Sequence, residues 1–134
     1  MNTVKIDLCG LPDELRSGLE KLCMHEGFRS GTDGIRLSAR RGGAFSAEFD
    51  GQTLRVEYCE PVQFFRALSY LKRADHRRFA LHRQPVFEHN GVMLDCSRNA
   101  VPRVEAVKMV LRKMALMGLN TLMLYTEDTY EVPE

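Results

Sequence analysis

Residues 91–134 read GVMLDCSRNAVPRVEAVKMVLRKMALMGLNTLMLYTEDTYEVPE, a strand, a helix and a second strand in succession. Val92, Met93 and Leu94 form the short apolar run expected of a parallel strand buried on both faces, and Asp95, Cys96, Ser97 and Arg98 close it. Pro102 suits a first helical turn, Val104, Val107, Leu111 and Met114 recur at three- and four-residue spacing, and Gly118 with Asn120 supplies a stop. Thr121 to Tyr125 is the second strand. Such crossovers are right-handed in about 98% of cases, so the strands run parallel and their carboxyl ends emerge on one side. Asp95 and Arg98 are therefore expected beside Glu127 and Asp128.

Ligands of α/β sheets and barrels bind at the carboxyl ends of the strands, so this charged group is a candidate site. The same residues also suit a plain structural role, with Asp95 capping the turn, Arg98 paired to it, and Glu127 and Asp128 in a solvated loop.

The segment resembles the opening of the catalytic barrel of glycoside hydrolase family 20, the β-N-acetylhexosaminidases and their relatives. In that family the first barrel strand reads Gly-x-Met-Leu-Asp-x-x-Arg, which stands here as Gly91, Met93, Leu94, Asp95 and Arg98. The Leu-Asn-x-Leu that opens the second strand stands as Leu119, Asn120, Thr121 and Leu122. The resemblance assigns Arg98 to the hydroxyls of a terminal N-acetylhexosamine, with Asp95 holding the strand end and Arg98 in position. A planar guanidinium with several donors suits vicinal hydroxyls. Glu127 and Asp128 are further substrate-binding candidates because they follow the second strand.

Family members retain configuration by substrate-assisted catalysis, in which the 2-acetamido oxygen attacks the anomeric carbon. Their acid/base machinery is an adjacent Asp-Glu pair on a later strand. Here no such pair occurs in that context, and Glu127-Asp128 has the wrong strand and order. Common members also carry a His and an Asp-Asp after strand two, where this chain has Tyr125, Thr126, Glu127 and Asp128. The chain reads as a truncated amino-terminal piece of a longer hydrolase, with part of the substrate site, no catalytic residue and no cofactor. Activity of the chain alone is left open. The alternative is a non-catalytic protein-interaction or carbohydrate-binding module.

A composition of 44% hydrophobic and 28% charged residues suits ordinary globular structure, and a net charge of +1 offers no electrostatic footprint for nucleic acid or an anionic membrane. Basic pairs such as Arg40-Arg41 and Lys72-Arg73 then read as solvated surface, and Arg36, Arg40 and Arg55 come without an aromatic stacking motif. No stretch approaches the roughly 18 apolar residues of a membrane span, and the amino terminus lacks the regions of a signal peptide, so a cytoplasmic protein is expected. Cys9, Cys23, Cys59 and Cys96 are scattered and read as buried free thiols, and neither they nor the four His show metal-ligand spacing.

Earlier in the chain, Val4, Ile6 and Leu8 alternate with Lys5 and Asp7 as a strand, and Leu11, Leu15, Leu19 and Leu22 stripe a helix opened by Pro12, Asp13 and Glu14 and stopped near Gly27. Residues 30–34 read as a polar turn. Three alternating strands follow, at residues 35–40, 45–49 and 54–58, with Gly42-Gly43 and Asp50-Gly51 as turns, which predicts an antiparallel meander. A second helix opens at Pro61 with Val62, Phe65, Leu68 and Leu71 inward and Phe64 alongside. Residues 79–87 return to the sheet or cross to the next unit, with Pro85 at an edge or in a linker.

The expected class is α+β: an antiparallel sheet with two helices on one face at residues 1–84, a small non-catalytic domain, followed over 85–134 by a linker and the first β-α-β unit of a truncated (β/α)8 barrel. That unit would leave apolar strand faces uncovered. At ~25 cal/mol per Å2, a few hundred Å2 of such surface favours association by several kcal/mol, so self-association of the chain is expected.

Overall fold

The structure, a computed structural model, describes residues 3–75, 77–97 and 101–127. Its elements are β1 (Val4–Asp7), α1 (Asp13–His25), β2 (Phe28–Ser30), β3 (Ile35–Arg41), β4 (Phe45–Phe49), β5 (Thr53–Tyr58), α2 (Pro61–Ala74), β6 (Phe79–Arg83), β7 (Gly91–Asp95), α3 (Val104–Met117) and β8 (Thr121–Tyr125). Strands β1 to β6 form one six-stranded sheet in the order β2-β1-β3-β5-β4-β6, and β7 and β8 form a separate pair. The α+β class follows directly from this layout.

The alternation in β3, β4 and β5 fixes which side chains face inward. Leu37, Phe45, Ala47, Phe49, Leu54, Val56 and Tyr58 are buried on one face, beneath Leu15, Leu19 and Leu22 of α1 and Phe64, Ala67, Leu68 and Leu71 of α2. Phe65, expected in the core beside Phe64, is only partly buried and meets that ring edge-on at 5.5 Å. Opposite faces are polar, and two of their arginines are already paired, Arg40 with Glu57 and Arg55 with Asp50.

The pairing of these strands differs from a meander. β3 runs parallel to β1 and to β5, while β4 is antiparallel to β5 and to β6, so the sheet is mixed. Gly42-Gly43 is not a hairpin turn. It carries the chain across the end of β5, where the Gly42 N–H donates to the Tyr58 carbonyl at 2.9 Å. The Asp50-Gly51 hairpin forms as expected: the Asp50 carboxylate accepts from the backbone N–H of Gln52 and Thr53 at 2.9 and 2.8 Å, and Gly51 takes φ +100°. Those backbone donors, with Arg55, hold the Asp50 carboxyl well below its usual range, at about 2.

Two further readings change. Residues 28–30 form a parallel edge strand on β1, and Ser30, expected to begin the turn, ends that strand. Pro102 lies outside α3, whose N-cap is Arg103. The thiols are free, but none is buried: Cys9 is exposed and Cys23, Cys59 and Cys96 are intermediate.

β7, α3 and β8 make the strand-helix-strand unit read from the sequence, with β7 and β8 parallel over five residue pairs from Gly91↔Thr121 to Asp95↔Tyr125. Gly118, at φ +77°, ends α3; its N–H donates to the Ala115 carbonyl and the Leu119 N–H to that of Met114, the paired closure that satisfies carbonyls at a helix end. Of the apolar stripe expected on α3 only Met114 is buried, and Val104 and Leu111 are exposed. The helix instead meets the core through Leu116, partly buried against it, and through polar contacts, among them Arg66 of α2 donating to the Met117 carbonyl at 3.3 Å.

Candidate functional site

The parallel register sets Asp95 opposite Tyr125, so the carboxyl ends of both strands open on the same side. The ladder continues one step beyond, where the Cys96 N–H donates to the Tyr125 carbonyl at 2.7 Å. One Asp95 oxygen accepts from both the backbone N–H and the hydroxyl of Ser97, at 2.9 and 2.6 Å. Asp95 therefore does cap its own turn, the structural role foreseen for it, while its half-buried carboxylate stays at the strand end.

Glu127 lies just past β8, where the Tyr125 hydroxyl donates to its carboxylate at 3.0 Å. That hydrogen bond first, then desolvation and the Asp95 charge, push the Tyr125 hydroxyl above its ordinary pKa. Asp95, Tyr125 and Glu127 thus share one electrostatic neighbourhood. Glu127 also holds φ +46°, a left-handed backbone that non-glycine residues seldom adopt and that is enriched at binding sites. Arg98 and Asp128, the other two candidates, lie outside the described residues.

Tyr125 has no role in the sequence reading, because its hydroxyl reaches Glu127 only through the backbone turn past β8. A second omission is Asn120. Its amide donates to the Glu88 carbonyl at 2.7 Å and accepts from the Asn90 N–H at 2.8 Å, clasping the segment that enters β7. The motif Asn thus acts at the amino ends of the strands, away from the charged group.

A cleft of about 440 Å3 also sits at those amino ends, lined by Asn90, Asn120, Gly118, Arg66, Phe87 and Gln63 among others. It lies on the far side of the unit from Asp95 and Glu127. Among the described residues no cluster of three or more His, Cys, Asp or Glu could hold a metal ion, and no helix is long and apolar enough to cross a membrane.

This arrangement is the fold found in structures of glycoside hydrolase family 20 enzymes. An exo-β-N-acetylglucosaminidase of that family from Vibrio harveyi, solved with N-acetylglucosamine, is similar at 21% identity and a TM-score of 0.62, with 92% of this chain covered and 22% of that one. The family 20 β-N-acetylhexosaminidase from Streptomyces coelicolor A3(2) is similar at 16% identity, TM-score 0.60, over 92% of this chain and 30% of its own. The β-N-acetylhexosaminidase from Bacteroides fragilis NCTC 9343 gives 14%, 0.58, 92% and 29%. The chain thus spans less than a third of the structures it matches. No family model matches the sequence, and no curated protein matches it.

Proposed function

We propose that the chain is part of a glycoside hydrolase of the family 20 type, one that removes terminal N-acetylhexosamine residues by a retaining, substrate-assisted mechanism. The reading rests on one observation above all. In a fold like that of family 20 enzymes, β7 and β8 run parallel and bring the end of the Gly-x-Met-Leu-Asp-x-x-Arg strand beside Tyr125 and Glu127. Residues 1–84 are then a small non-catalytic domain that braces a barrel, and 85–134 a linker and its first β-α-β unit. The break at residues 84–90, between β6 and β7, and the split into two sheets support this division.

In this reading Arg98 donates to sugar hydroxyls, Asp95 shapes the turn that carries Arg98, and Glu127 and Asp128 line the same end of the barrel. The acid/base pair lies outside the chain. The departure from the family's His and Asp-Asp after strand two leaves a Tyr125–Glu127 pair there, which would present an acceptor carboxylate where a sugar hydroxyl can donate. Met93 and Met123, 61% and 57% exposed, belong beneath the remaining strand-helix units of such a barrel.

The test is hydrolysis of a chromogenic N-acetylglucosaminide by the full-length polypeptide and by residues 1–134 alone. Turnover by the longer protein only is the expected result. No turnover by either moves the reading to a non-catalytic carbohydrate-binding or interaction module. Replacement of Glu127 and Asp128 together by Ala should weaken sugar affinity; unchanged affinity removes both from the site.

A further inference from the structure

The junction between α3 and the helices on the sheet is built around one buried carboxylate. Glu26, the residue that ends α1, is 2% exposed. Its side chain meets two cations of α3: Lys113 Nζ at 2.6 Å from Oε2, and Arg112 Nε at 3.6 Å from Oε1. Its backbone carbonyl accepts from Lys72 of α2, whose ammonium also sits 5.4 Å from the Phe28 ring. Three elements, α1, α2 and α3, therefore converge on one acidic residue. Arg112 Nε is buried with no hydrogen-bond acceptor, so the Glu26 charge is its compensation.

We infer that Glu26 is a positioning residue: its charge, not its volume, locks the β7-α3-β8 unit onto the sheet unit and thereby sets where the carboxyl ends of β7 and β8 stand. The apolar contact available to do this otherwise is modest: Met114 is buried and Leu116 packs, partly buried, against the core. An exposed ion pair would contribute little orientation, whereas a buried carboxylate that loses its charge leaves the buried Arg112 Nε without compensation. Because α3 joins β7 to β8, holding the helix also holds both strands. The inference does not depend on which reaction the whole protein carries out.

Backbone hydrogen exchange on the 134-residue chain tests it, with two substitutions that separate charge from shape. Glu26→Gln keeps the shape and should accelerate exchange of the α3 amides by about a hundredfold, while β3 and β5 in the middle of the sheet keep their rates. Glu26→Asp keeps the charge and should retain most of the protection. Lys113→Gln, at a side chain 54% exposed, approaches the lock from the other side and should accelerate α3 by about tenfold even where Glu26→Gln does not fold. Unchanged α3 exchange in Glu26→Gln or Lys113→Gln overturns the inference. So does acceleration of β3 and β5 in step with α3, or an Asp variant as labile as the Gln one.

Discussion

Gly91 shows how one residue can decide a pairing. A side chain there would overlap the carbonyl oxygen of Thr121, the residue it pairs with across the strands. Backbone cannot yield as the end of a flexible side chain can, so Gly91→Val should part the start of β7 from β8 at a cost of about 1–3 kcal/mol or more. A lower urea midpoint, with protection lost first in β7 and β8, is the expected reading. Tyr58 makes a different prediction. It is fully buried and donates to Glu14 at 2.6 Å; burial first, then that carboxylate, push its hydroxyl from 10.0 to about 12. A raised folded-state value favours the neutral phenol. Its contribution is therefore complete below pH 10.0 and is lost as pH rises towards about 12. Tyr58→Phe should cost about 1 kcal/mol at neutral pH and flatten the alkaline fall in stability, as measured by denaturant titration across that range.

Elements differ in how far their own residues announce them. Alternation in residues 35–58 fixes strands and buried faces, because every second side chain must share a side. It carries no information on neighbours. β3 and β4 are joined by a short Gly-rich link and are still not paired, since β5 inserts between them and pairs with both. β2, with three residues, is too short to show a period. The β7-α3-β8 unit was legible because both strands are apolar runs and the helix has a clear stop at Gly118. Its charged end was half legible: Asp95 and Glu127 were expected there, but the Tyr125–Glu127 hydrogen bond depends on the backbone turn at Glu127, which composition does not reveal. The β4-β5 hairpin supplies a check at this scale. The Asp50 carboxylate holds its turn through two backbone donors, so its titration by NMR should centre at about 2, and the support it gives the turn is lost as pH falls through that value. A midpoint at the ordinary carboxylate value would contradict the hairpin geometry.

At the scale of the whole molecule, two sheets of unequal completeness share one chain. The six-stranded sheet is covered by α1 and α2 over a continuous core, whereas β7 and β8 keep Val92, Met93, Met123 and Leu124 in solvent. Alone, this chain is expected to self-associate through those strands, and a concentration-independent monomer in sedimentation would contradict that. In the proposed barrel the same surface is interior, and the strand ends face substrate. The most direct test of that account is kcat/KM of the full-length polypeptide on an N-acetylglucosaminide with and without Arg98→Ala. Loss of the guanidinium's hydrogen bonds to the sugar should lower kcat/KM by about a hundredfold with the fold intact. An unchanged kcat/KM would contradict a sugar site at the end of β7.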